Sequence, residues 1–163
     1  MRPAKRMLLT IMLAVMVMSF LTGNAQATSF SDGGGSLMVS IESADYLALG
    51  TDQIENDILT EFTLSLPNGY WVYGWTYIYC EIELPSGGYY YTELLVLASY
   101  SRLSLTLAWH NTATEIGWYT FFVYANILGQ NVLRPGTDSL MFDPPTDGDA
   151  GPPLLEIIQV VAN

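Results

Sequence analysis

Few side chains in this sequence are equipped for covalent chemistry. His110, in the stretch AWHNT, is the only histidine and Cys80 the only cysteine of the 163 residues. Nucleophilic catalysis of the Ser/His/Asp or Cys/His kind needs a base beside a nucleophile and a third group to orient it. A lone histidine closing a strand pattern reads instead as a satisfied or solvated residue. Cys80 alternates with Ile78 and Ile82, so it reads as a small buried hydrophobe. Alone it cannot form an intrachain disulfide, which leaves only an intermolecular one. Glu81, Glu83 and Glu93 are of a type that hydrolyses glycosides, but that reaction needs two carboxylates across a cleft. These three fall around a hairpin and read as a wet face. The expectation is a protein with no catalytic residues.

Metal chemistry has one candidate. TDQIENDI (51–58) sets Asp52, Glu55 and Asp57 in a loop between strands, with Gln53 and Asn56 interleaved. Calcium takes six to eight oxygen ligands, and these three carboxylates are the calcium site the sequence offers. The loop lacks the glycine and spacing of an EF-hand, and Asp and Asn are common in plain turns. No other cofactor is indicated.

Binding chemistry is better represented. GYWVYGWTYIYC (69–80) places Tyr73, Trp75, Tyr77 and Tyr79 on alternate residues, hence on one face of a strand. Two phases compete. Glu81 and Glu83 share the parity of the aromatic row, and burying two unpaired carboxylates is prohibitive. That argument turns the row outward and puts Ile78, Cys80 and Ile82 inside. It fixes only the second half of the strand, because a bulge at Gly74 would bring Trp75 into the core.

The elements that must carry these residues show a period of two nearly throughout, with β-branched and aromatic residues between regular turn signals. Strands are predicted near 37–43, 57–66, 70–84, 89–98, 102–110, 118–126 and 138–143. LPSGGY (84–89) joins the third and fourth as a hairpin. About seven strands without a convincing amphipathic helix make an all-β, antiparallel β-sandwich over 37–143. SDGGGS lies in a flexible lead-in (28–36), and a Pro/Gly/Asp linker with the apolar tail LLEIIQVVAN occupies 144–163.

EIGWYTF (115–121) sharpens the fold expectation. It resembles the D-x-G-x-Y-x-C segment around the tyrosine corner of immunoglobulin-like domains, with Glu115 for the Asp, Gly117 and Tyr119 matching, and Phe121 in place of the cysteine. Without a cysteine pair, antibody-type kinship is out. The resemblance is to the broad immunoglobulin-like class of exported prokaryotic surface proteins. It implies that Tyr119 points inward, with its hydroxyl on backbone, and that the third and sixth strands are neighbours in one sheet. Trp118, Phe122 and Tyr124 would then stand outward beside the Tyr73–Tyr79 row as one aromatic plate, unless the apolar tail covers it.

The N-terminal segment has a basic start (Arg2, Lys5, Arg6), an apolar run from Met7 to Leu21 and the small-x-small triplet Ala25-Gln26-Ala27. Residues 1–27 therefore read as a secretory signal peptide, the run being short of the roughly 20 residues a span needs. Retention as an anchor is the competing reading. The chain from residue 28 keeps two basic residues, Arg102 and Arg134, against 16 acids, a formal charge of −14, and contains no lysine. Such a chain has no basic cluster to release counterions from nucleic acid or to hold an anionic membrane surface. No span is expected in the mature chain. The expectation is a secreted or cell-surface module for adhesion, protein–protein interaction or surface assembly, with an extracellular protein or glycan as partner and self-association open. A carbohydrate-binding module using the Tyr/Trp face is the alternative, and a small secreted hydrolase ranks last.

Overall fold

The computed structural model describes residues 14–16, 35–49, 54–130, 133–144 and 151–163. Residues 1–13, 17–34, 50–53 (Asp52 among them), 131–132 and 145–150 lie outside the described residues. Among the described residues no helix is long and apolar enough to cross a membrane.

The fold is an all-β sandwich of two four-stranded antiparallel sheets. One is ordered β5 (Tyr89–Tyr100), β4 (Val72–Glu83), β7 (Tyr119–Ile127), β8 (Gly136–Phe142). The other runs β2 (Met38–Leu47), β3 (Asp57–Ser65), β6 (Arg102–His110), β9 (Leu154–Ala162). A three-residue strand, β1 (Ala14–Met16), lies parallel along β5 opposite Leu95–Leu97. The sandwich has one strand more than the seven expected. Residues 154–162, set apart in the sequence as a tail, form β9 and pair with β6 from His110 back to Leu103. They lie in the sheet opposite the aromatic row and do not cover it.

Alternation decides what is buried. Ile78, Cys80 and Ile82 of β4, Phe121 and Val123 of β7, and Leu103, Leu105 and Trp109 of β6 all turn inward. Phe121 sits where a disulfide cysteine would stand in the resembled motif. Its ring lies 6.1 Å from Phe62 and 6.2 Å from Trp109, so aromatic packing ties the two sheets together. Three of the large or polar side chains carried inward, Trp109, Tyr100 and Thr76, have matched polar atoms. Trp109 Nε1 donates to Thr60 Oγ1 at 3.0 Å, and the Tyr100 and Thr76 hydroxyls share a 2.6 Å hydrogen bond. Those partners make buried tryptophan and tyrosine tolerable.

One side of the sandwich is closed by β2 against β8. The Ile41 amide donates to Asp138 Oδ2 at 2.9 Å, and the Leu37 amide donates to the Arg134 carbonyl at 3.0 Å. Backbones approach so closely there that a Cβ on Gly136 would lie 2.2 Å from the Leu37 carbonyl oxygen. Only glycine fits.

Candidate functional site

β4 holds the centre of its sheet and hydrogen-bonds to β5 on one side and β7 on the other, so its outward side chains are flanked on both sides. The register is unbroken from Val72 opposite Tyr100 to Glu83 opposite Tyr89. Gly74 pairs with Ala98 without a bulge, and Trp75 stays outward, 42% exposed. The phase fixed by Glu81 and Glu83 therefore holds along the whole strand. The phase switch weighed at Gly74 does not occur.

The pairing lays out rows across the outer face. Leu97 stands beside Trp75, then Leu95 beside Tyr77 and Asn126, then Glu93 beside Tyr79 and Tyr124. The next row is Tyr91, Glu81 and Phe122, and the last is Tyr89, Glu83 and Thr120. Tyr73, 74% exposed, begins the row on β4, and Trp118, 60% exposed, immediately precedes β7 at the other end. At about 3.3 Å per residue the plate runs roughly 33 Å along β4. Its rings touch: Tyr77–Tyr124 at 6.2 Å, Tyr79–Phe122 at 6.4 Å and Tyr79–Tyr91 at 5.8 Å between centroids.

Tyr89 and Tyr91, whose rings lie 6.0 Å apart, were not singled out from the sequence. The available signal was Glu93. Its need for water fixes the parity of β5, and Tyr91 and Tyr89 share that parity.

Carboxylates stand among the rings and bond to them. Tyr77 Oη donates to Glu93 Oε1 at 3.1 Å, and Tyr79 Oη donates to Glu81 Oε2. Partial burial, reinforced by these acceptors, pushes both phenols above their ordinary range. They remain protonated donors and hold the carboxylates in place.

The tyrosine of EIGWYTF is fully buried, and its hydroxyl does two jobs. Tyr119 Oη accepts from the Glu115 amide at 2.7 Å and donates to the Glu115 carbonyl at 2.9 Å. The Glu115 side chain reaches the β4–β5 turn, accepting from the Ser86 amide at 2.9 Å and the Ser86 hydroxyl at 2.8 Å. Gly117 has φ +126, and a Cβ there would press on Pro85. This corner pins the Trp118 end of the plate to the hairpin that carries Tyr89.

The two calcium candidates among the described residues, Glu55 and Asp57, differ in their surroundings. Asp57 is buried. Its Oδ1 accepts from the Asn111 amide at 2.8 Å and its Oδ2 from the Leu49 amide at 2.7 Å, so it ties β2 and β3 to the end of β6. Glu55 is exposed, and Asp52 lies outside the described residues. Among the described residues no three His, Cys, Asp or Glu side chains converge as a metal site. His110 belongs to the same junction, with Nδ1 3.5 Å from Asp57 Oδ2 and Nε2 3.2 Å from Glu156 Oε2. Cys80 is fully buried, and desolvation pushes its thiol far above the range in which a thiolate forms.

The opposite sheet carries a shallow polar groove of about 350 Å³ between Glu42, Glu61, Arg102, Thr106 and Gln159. Arg102 already sits 3.9 Å from Glu42, the residue bulged out of β2, and 3.5 Å from Thr63, whose hydroxyl meets Ser104 at 3.0 Å. Glu42, Arg102, Thr63 and Ser104 thus already pair with one another along it. The chain matches no protein-family model, no curated protein and no solved structure at a significant level.

Proposed function

We propose that this chain is an exported, cell-surface β-sandwich module that works by binding and not by catalysis, in adhesion, protein–protein contact or surface assembly, with the Tyr/Trp plate as its contact surface. One observation carries the reading: nine aromatic side chains, among them Tyr73, Tyr89, Trp118 and Tyr124, share the outer face of one sheet and are left uncovered by the protein's own β9. Exposed apolar patches beyond a few hundred Å² mark interaction sites. Tyrosine and tryptophan suit them because they offer rigid area with a polar edge.

The architecture supports the immunoglobulin-like part of the reading. The order β2-β3-β6 against β4-β7-β8 follows the A-B-E and C-F-G partition of such sandwiches, with β9 beside β6. Tyr119 makes the corner contact, and the leader-like N-terminus supports export. Sugar binding is the second reading, favoured by Asn126 and Glu93, which stand beside Tyr77 and Tyr79 as hydroxyl partners.

The test uses the chain from residue 28 onward, which contains both four-stranded sheets entire. Adhesion of coated beads to cells, together with retention on neutral polysaccharides, is compared with that of Tyr77→Ser/Tyr79→Ser. The expected result is loss of binding with melting almost unchanged, since both rings are only half-buried. Binding that survives the double substitution would overturn the assignment of the surface.

A further inference from the structure

The rings of the plate are not set in a neutral surface. Glu83, Glu81 and Glu93 alternate with Tyr79, Tyr91, Tyr89 and Phe122 across three adjacent rows, and no lysine or arginine stands in any row. None of the three carboxylates makes an ion pair among the described residues. The phenols of Tyr77 and Tyr79 each donate to one oxygen of Glu93 and Glu81, and the second oxygen of each has no donor among the described residues. Charge that is positioned, interleaved with ring faces and left uncompensated attracts one kind of group.

Resting on the plate as a contact surface, we infer that its partner is cationic: an extended protein segment bearing arginine or lysine, laid across β5, β4 and β7. Two independent attractions act on the same charge. The negative face of an aromatic ring draws a cation to within about 6 Å of its centroid, and a carboxylate one strand away, about 4.8 Å, pairs with it. Arginine fits best, since its planar guanidinium stacks on a ring while its fork bonds a carboxylate. A second copy of this chain is disfavoured on the same grounds. Face-to-face pairing would set three carboxylates against three, and the chain from residue 28 has only Arg102 and Arg134 to offset them. Nucleic acid is repelled outright. A neutral glycan would use the rings but gain nothing from the charge.

Titration calorimetry with an extended peptide alternating Arg and Ser tests this on the chain from residue 28 onward, beside peptides with Gln or Glu in place of Arg. Only the Arg peptide is expected to bind, with affinity falling as salt rises from about 50 to about 500 mM. Glu81→Gln/Glu93→Gln and Tyr77→Ser/Tyr79→Ser should each weaken it about tenfold. Glu42→Gln/Glu61→Gln, which removes the same charge from the opposite sheet, should change it less than about twofold. Equal weakening by the two glutamate pairs would show diffuse attraction to an acidic protein and overturn the inference. No Arg-peptide binding, with polysaccharide binding that is lost in the tyrosine variant, would also overturn it while leaving the plate a contact surface. Failure of both probes, with adhesion indifferent to the tyrosines, would remove the surface reading as well.

Discussion

At Tyr119 one hydroxyl serves as acceptor and donor for the same residue, Glu115. Tyr119→Phe keeps the ring in the core but leaves that backbone amide and carbonyl short of partners. The expected cost is about 1–2 kcal/mol, read from the shift in urea midpoint at constant slope. A neutral substitution would mean that water replaces the hydroxyl without penalty. Asp57 makes the same kind of argument more strongly, because both carboxylate oxygens hold backbone amides. Asp57→Asn offers one of those amides an NH2 group where it needs an acceptor, and should cost about 1–3 kcal/mol. The loss of melting temperature should be the same in calcium and in chelator. A loss seen only with calcium would return Asp57 to the metal-ligand role its loop first suggested. Nothing in TDQIENDI could have shown the structural role, since the two amides belong to residues 8 and 54 positions away in the chain.

Strands β3 to β8 were legible because each hides one face, and a one-residue slip would have put leucines in water and acids in the core. Glu81 and Glu83 fixed the direction of the aromatic plate by that logic. In GGYYYTE the consecutive tyrosines read the same in either phase, so Glu93 alone carried the parity of Tyr89 and Tyr91. β9 was hidden for another reason. Ile158 is an extra residue opposite Thr106 and Leu107 of β6, so the parity of LLEIIQVVA switches midway and no alternation survives in the sequence. The close approach of β8 to β2 is likewise silent in the sequence, where Gly136 follows a proline and reads as a turn. Gly136→Ala must push backbone away from the Leu37 carbonyl. It should destabilise by about 1–3 kcal/mol or more, with amide exchange quickening first in Leu37–Ile41. Unchanged exchange there would show that β2 yields easily.

Over the whole molecule, burial pushes the phenols of Tyr77, Tyr79, Tyr90, Tyr100 and Tyr119 upward in the folded state. In the unfolded chain tyrosines ionise near pH 10. Above that pH the unfolded state holds fewer protons than the folded one, so stability is full below about pH 10 and falls as pH rises. Melting temperature should decline over that range, and the tyrosinate absorbance of these five rings should appear together with loss of β-structure. Tyr100→Phe should flatten the decline. The full absorbance of all 11 tyrosines rising smoothly near pH 10 over an intact fold would show that these five rings are open to solvent.

The β6–β9 pairing bears on how this protein is made. Residues 154–162 complete a sheet begun by residues 38–47, and Asn163 trades backbone hydrogen bonds with Arg102 at 2.9 Å in each direction. A chain free to fold only as far as Phe142 has one four-stranded sheet and three strands of the other, with the edge of β6 still bare. An uncovered edge beside leucine-rich strands invites pairing with another nascent chain. That edge is covered only once the chain is free as far as Asn163, and a chain held short of that point would be prone to association.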